Sequence, residues 1–357
     1  MKFAFIMSEE VGLRTQFLNW KNNFPTDLNI EPHWIVVSFY KSGGWIESLP
    51  GVPAFIKTRL RAALEVRDGL RRGPFDATFI AVHSALATLP GYVEQNACFT
   101  TLDVTPKQLH DFGDFYGKYP SKIAALEAYK HRSRSRNYGS FRGLFPWSNW
   151  AAKSLIADYA VDKNRIHVIP PGVDTTQWKP TNELMPTNKV NLLFVGGDFD
   201  RKGGPLLLNW AGKSARQDWR LNIVTRHRLD ISDSRITVHN DLSANDPRLT
   251  NLYQQSHVFV LPTLADCYSI AGIEALASGL PVILSLTGGT GDVIKDNQTG
   301  FLLHNPTAEN LGAKLDILIS NSGLRNSMSA AARRDAMDRY DVIKNIRKTV
   351  SIMIDSL

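Results

Sequence analysis

Short apolar runs alternate with amphipathic stretches along nearly the whole chain, and they do so in two successive series. A short apolar run bounded by turn residues reads as a strand buried on both faces, and such strands belong to parallel sheets covered by helices. In the first half the pattern predicts strands at Lys2–Met7, His33–Val37, Ala77–Val82, Ala97–Leu102, Gly143–Pro146 and Arg165–Ile169. Helices are expected at Leu13–Asn22, Ala54–Leu70, Lys122–Arg136 and Asn149–Tyr159. The second half predicts strands at Val190–Val195, Arg220–Val224, Ile236–His239, His257–Leu261, Pro281–Leu284 and Phe301–Leu303, with helices at Pro205–Lys213, Leu249–Gln255, Ser269–Ser278, Ala308–Ile319 and Leu324–Arg339. Alternation that occurs twice predicts an α/β chain of two doubly wound, Rossmann-like parallel-sheet domains. The Pro- and polar-rich stretch from Pro170 suits an extended linker. The expected division is therefore a first domain over 1–169, a linker over 170–188 and a second domain over 189–340. A helical segment over 341–357 is expected to pack back on the first domain. Ligands of doubly wound domains bind beyond the carboxyl ends of the strands, so a cleft between two facing domains is the expected active site.

Composition narrows the partners. The net charge of +7 favours anionic ones. Lys57, Arg59, Arg61, Arg67, Arg71 and Arg72 sit around one predicted helix, and Lys130, His131, Arg132, Arg134 and Arg136 form a second cluster. Solvated helix faces explain such runs most simply, and contact with an anionic membrane surface or an anionic acceptor is the functional reading. Neither cluster interleaves with aromatic residues as a base-stacking platform would, so nucleic acid is not an expected partner. Cys98 and Cys267 are the only cysteines, which gives no disulfide framework and points to a reducing, cytoplasmic setting, peripheral at the inner membrane face if the basic clusters bind lipid. The nine histidines form no zinc-type pair, so no metal site is expected. No apolar run approaches membrane-spanning length, and the first residues read as a strand rather than a leader.

The chemistry concentrates at strand ends. After His257–Leu261, Asp266 is placed in a loop and Glu274 on the following helix, which Gly279 stops. Amide groups at such a helix start suit an anion, and carboxylates beside them suit sugar or ribose hydroxyls. After Val190–Val195 comes Gly196-Gly197-Asp198-Phe199-Asp200-Arg201-Lys202-Gly203, where two adjacent cations follow a Gly-rich turn. Such a pair suits a diphosphate leaving group, although an ordinary turn gives the same pattern. Thr287-Gly288-Gly289-Thr290-Gly291-Asp292 follows a later strand and permits close approach to a ligand. In the first half, Gly12, His83 and Asp103 each follow a strand; the plainer reading of Asp103 is an N-cap for the helix that Pro106 begins.

Taken as a set, these motifs resemble the family 4 retaining glycosyltransferases, which have the GT-B fold. The resemblance is strongest from Trp147 to Arg339, where Ser148 to Leu155, Ile166 to Asp174, Val195 to Gly203, Asp266 to Glu274 and Thr287 to Ile294 follow the family's order. Seven residues separate the paired acids, as in the family, but the first acid is Asp266 where the family carries Glu. The shorter side chain reaches about 1.5 Å less far.

The resemblance implies a sugar transferred with retained configuration from a UDP-, GDP- or ADP-linked donor to an unidentified acceptor, by front-side attack and without a metal or other cofactor. It assigns the donor diphosphate to Arg201 and Lys202, the ribose to Glu274 and the transferred sugar to Asp266, helped by amides around Tyr268, Ser269 and Ile270. His83 would contact the sugar near the reacting centre, Gly12 and Gly197 would line the donor, and Asp103 stands on the acceptor side. Two alternatives share the fold: a non-catalytic nucleotide-sugar-binding or regulatory protein, and a phosphorylase or epimerase.

Overall fold

The computed structural model describes residues 1–9, 12–82, 91–181, 188–243 and 246–357. The chain divides into two compact units. Unit 1 comprises Met1–Gly113, Lys118–Gly172 and Ile343–Leu357, and unit 2 comprises Asp114–Gly117 and Val173–Val342.

Unit 1 is built on a five-stranded parallel sheet of β1 (Lys2–Ser8), β2 (Glu31–Val37), β3 (Ala77–Ile80), β4 (Cys98–Leu102) and β5 (Gly143–Pro146), in the order β2-β1-β3-β4-β5. Strands buried on both faces need apolar residues at successive positions, and β3 and β4 are buried at every residue. Aromatic rings fill one side: Trp20 stacks on Phe79 at 4.8 Å and Phe5 on Trp34 at 4.9 Å. A sixth strand over Arg165–Ile169 does not form. Lys163–Arg165 is a 3-10 turn, and the following residues meet β5 in one isolated parallel bridge, Ile166 with Leu144, with His167 N–H donating to Leu144 O and Ile169 N–H to Pro146 O. Pro170 and Pro171 then remove the donors that a longer ladder would need. The N-cap before Pro106 is Thr105, not Asp103. Thr105 Oγ1 accepts from Gln108 N–H, and the Gln108 side chain accepts from Thr105 N–H in return. The helix Val342–Asp355 closes the unit, with Asn345 donating to Pro170 O and Arg142 to Ser356 O and Leu357 O.

Unit 2 is a six-stranded parallel sheet of β6 (Val190–Val195), β7 (Trp219–Val224), β8 (Ile236–His239), β9 (Val258–Leu261), β10 (Val282–Ser285) and β11 (Gly300–Leu303). Its order is β11-β10-β9-β6-β7-β8, so the winding reverses between β6 and β9. That reversal opens a crevice at the carboxyl ends of those two strands, which is where such sheets bind ligands.

The helix Ser322–Arg339 fastens the periphery of the unit. Arg333 donates to the carbonyls of Thr175, Trp178 and Ala277, so the chain from Val173 to Trp178 is packed into the unit and Trp178 is fully buried. Arg339 donates to Asp292 O and Val293 O, and Tyr340 Oη also donates to Val293 O. The Asp335 carboxylate, 3% exposed, receives both Lys295 and Arg339. Burial alone would raise its pKa, but those two cations outweigh burial and hold it below the usual range. The stability it contributes is therefore present above the unfolded-state pKa and lost as pH falls through the lowered one. Asp335→Asn strands a half-buried guanidinium and should cost about 3–5 kcal/mol in urea unfolding at neutral pH. A loss below about 1 kcal/mol would show that the ion pair is dispensable.

Candidate functional site

The crevice between β6 and β9 is formed by the turn 196–203 and the loop 262–269. Gly203 has φ +79°, and a Cβ there would lie 1.9 Å from Pro262 O. Only glycine lets the turn press this closely on the loop. Bonds across the contact then fix both segments. Leu264 N–H donates to Arg201 O at 2.8 Å, and Arg201 Nη1 donates to Ala265 O at 2.8 Å. Lys202 Nζ donates to Asp266 Oδ2 at 2.5 Å, with both side chains largely out of solvent. The two ends of the sequence pattern, the cation pair and the first acid, are thus in direct contact.

Arg201 is further held by Asp198 and Tyr116. Its Nε donates to Asp198 Oδ2 at 3.1 Å and its Nη1 to Tyr116 Oη at 3.0 Å, with the guanidinium 4.8 Å from the Tyr116 ring centroid. Burial would raise the Asp198 carboxyl, but the Arg201 N–H and guanidinium outweigh it and hold the pKa low. Burial raises the Tyr116 phenol, and nearby Cys267 and Asp266 raise it further, so it stays a neutral hydrogen-bonding group. Nη2 of Arg201 makes no hydrogen bond among the described residues. Gly197 lies beneath the Arg226 side chain, where a Cβ would meet its Nε at 2.9 Å.

The second acid is placed differently. The helix Ile270–Ala277 starts at Ser269, whose hydroxyl caps Gly272 N–H, and Gly279 follows its end with φ +75°. Ile270 is its first residue, and the side chains of Tyr268 and Ser269 are buried. Glu274 is buried too, and its Oε2 accepts from Tyr253 Oη at 3.1 Å. Burial pushes its pKa up to about 8, only partly offset by the Tyr253 hydroxyl. The later loop is latched nearby, with Gly289 N–H donating to Cys267 O and Thr290 Oγ1 bonding Ser285 O.

Gly12 and Asp103 lie in unit 1 and line one cavity of about 600 Å³. Ser8, Ala81, Val82 and Leu102 place this cavity at the carboxyl ends of β1, β3 and β4, where the sheet order of unit 1 also reverses. Gly12 has φ +98°. The cavity wall is basic, with Arg59, Lys118, Lys130 and Arg134 against Asp103 and Glu127. Glu127 pairs with Arg134 at 3.3 Å. His83, expected beside the reacting centre, lies outside the described residues. Among the described residues no three His, Cys, Asp or Glu side chains converge on a metal position.

Sequence reasoning missed Tyr116 and Tyr253. Tyr116 precedes Arg201 by 85 residues, and no local spacing signals that contact. Tyr253 falls on a predicted amphipathic helix, and periodicity marks it as a core residue without showing that its hydroxyl meets Glu274.

Residues 179–335 match the family model of the glycosyl transferases group 1. A D-inositol 3-phosphate glycosyltransferase of Arthrobacter sp. (strain FB24) is 29% identical over 204 residues, covering 51% of this chain and 48% of that protein. The chain thus spans about half the length of the curated relatives it matches. Among solved structures, sucrose-phosphate synthase from Thermosynechococcus elongatus superposes with a TM-score of 0.79 at 12% identity, covering 99% of this chain and 98% of that one. Anabaena Alr3699/HepE in complex with UDP-glucose does so with a TM-score of 0.69 at 14% identity, covering both chains in full. Residues 179–335 accordingly resemble the glycosyl transferases group 1, in a chain that has the GT-B fold of two parallel-sheet α/β units.

Proposed function

We propose that this chain is a retaining glycosyltransferase that moves a sugar from a nucleotide-diphosphate donor to an acceptor hydroxyl. The observation that carries the reading is the Lys202–Asp266 contact at the β6/β9 reversal, within the residues that match the group 1 family model. Arg201 and Lys202 take the donor diphosphate, and Asp266 takes hydroxyls of the transferred sugar. The amides at Tyr268, Ser269 and Ile270 add donors beside it. In the transfer the anomeric C–O bond to the diphosphate breaks and a bond to the acceptor oxygen forms on the same face. The acceptor proton passes to the departing phosphate oxygen. Negative charge grows on the diphosphate as the bond breaks, and two fixed cations stabilise it most at that moment. Lys202 is already paired with Asp266, so donor binding redistributes an existing ion pair rather than desolvating a free ammonium. The solved relative that holds UDP-glucose favours a uridine nucleotide among the UDP, GDP and ADP donors.

The reading makes leaving-group charge the work of side chains, so no divalent metal takes part in the proposed chemistry. Titration with UDP-, GDP- and ADP-sugars should give one donor that binds and is slowly hydrolysed, with the rate unchanged by a chelator. Lys202→Ala and Arg201→Ala should each lower donor turnover on the order of 10²–10³-fold. Full turnover in both variants would remove the assigned roles. Tight binding without any turnover, with acceptor candidates present, would favour a non-catalytic nucleotide-sugar-binding protein instead.

Glu274 yields a second expectation. Its folded pKa is about 8 against an ordinary 4.5. Between those values the folded chain keeps a proton that the unfolded chain has lost, so stability is greatest below pH 4.5 and declines as pH rises toward 8. Glu274→Gln removes that decline. At pH 8 the variant should be more stable than the parent by about 2–5 kcal/mol, with the difference vanishing near pH 4.5. If Glu274 holds the ribose, the same variant binds the nucleotide sugar more weakly. Thermal unfolding at both pH values, paired with donor titration, reads the two opposite signs. A variant that loses stability at pH 8 would contradict the burial argument.

A further inference from the structure

The amino-terminal halves of two helices in unit 1 stand out from the fold and carry apolar side chains into solvent. In the helix Ala54–Leu70, packing on the unit begins at Arg61 and Ala62, while Phe55, Ile56 and Leu60 are exposed. In the helix Ala124–Ser140, Tyr138 near the far end is buried, while Leu126 and Tyr129 are exposed together with Ile123 just before the helix. The exposures are large: 61% for Phe55, 63% for Ile123 and 64% for Tyr129. Ile56 and Leu60 are four residues apart, and Ile123, Leu126 and Tyr129 are three apart, so each set forms one stripe. The approach to the first helix adds Trp45, 63% exposed. Cations accompany both stripes: Lys41, Lys57 and Arg59 in the first segment, and Lys118, Lys122 and Lys130 in the second.

The two segments meet at one place. Arg59 from the first and Lys118, Tyr119 and Lys130 from the second all line the 600 Å³ cavity. Through these residues the two segments form rims of the cavity, and each segment carries aromatic, aliphatic and cationic side chains along its length. Exposed apolar stripes of this kind mark a contact site. Its composition selects the partner. Trp and Tyr beside Lys and Arg suit the headgroup level of a bilayer, and cations suit anionic lipid. Ile56, Leu60, Ile123 and Leu126 have no ring to stack on a nucleobase but can enter the acyl boundary. The sequence reading found basic clusters without interleaved aromatics; in the folded chain Phe55, Tyr119 and Tyr129 stand among those cations.

We propose that the segments 40–60 and 118–130 form a docking face for an anionic bilayer. Docking seats the two rims at the membrane interface, so the basic cavity of unit 1 opens there and receives its ligand from the lipid surface. The proposal does not rest on the transfer reading, and its test uses no nucleotide sugar.

The full chain is mixed with vesicles of phosphatidylcholine, with or without phosphatidylglycerol, and partition is measured by sedimentation. Binding is expected only with phosphatidylglycerol and is weakened by salt. Trp45 is the exposed tryptophan among the described residues, and lipid brominated near the headgroup should quench it. Phe55→Ser with Leu60→Ser, and separately Ile123→Ser with Tyr129→Ser, should each weaken partition roughly tenfold or more, because each pair removes two apolar anchors. Arg59→Glu with Lys122→Glu should weaken it further. These positions are exposed, so the melting temperature should not change; if a variant does not fold, the quenching of Trp45 in the parent chain decides. No binding to phosphatidylglycerol vesicles, no quenching, or binding that neither apolar pair alters would overturn the proposal. So would retention of a single-stranded RNA in place of vesicles.

Discussion

The approach of Gly203 to Pro262 O is the contact on which the candidate site depends. Two loops that leave different strands are brought within bonding distance because one residue has no side chain. Once they touch, the Arg201 guanidinium and the Lys202 ammonium each find a partner on the β9 loop, at Ala265 O and Asp266. The rest follows from where the loops start. β6 and β9 are neighbours only because the sheet order reverses between them, and the reversal leaves space above their carboxyl ends. Parallel strands, a reversal and one glycine therefore place cations and a carboxylate together before any ligand arrives.

The two acids of the motif do different physical work. Asp266 is held beside a cation, whereas Glu274 is held against a phenol with burial opposing its charge. A buried carboxyl whose charge is disfavoured costs the fold stability at neutral pH, and such costs concentrate where a ligand repays them. The asymmetry also bears on the shortened first acid. Asp266 has one methylene fewer than the Glu the resemblance implies, and Lys202 reaches it at 2.5 Å.

The fold was largely legible in the amino-acid sequence because its signal is local. Apolar runs gave β6, β9 and β10 to within a residue or two, and Gly279 marked the end of the helix that carries Glu274. The reading failed where pairing partners matter more than composition. Arg165–Ile169 is apolar enough for a strand, but it bonds β5 at too few points to become one. The motifs located the Gly-rich turn and the paired acids, since those spacings lie within single loops. They could not reveal Tyr116 under Arg201, or the exposed faces around Phe55 and Tyr129, because both depend on which surfaces the folded chain covers. Asp103 shows the reverse case: its spacing to Pro106 suggested a cap, and Thr105 holds that place by a better-positioned hydroxyl.

Hydrogen exchange with and without a UDP-sugar tests the central claim directly, since the claim is that the turn 196–203 and the loop 262–274 form one donor site. The account predicts added protection in both segments together, and loss of that protection in both when Lys202 is replaced by alanine. Protection confined to one segment, or found elsewhere with both unchanged, would contradict it.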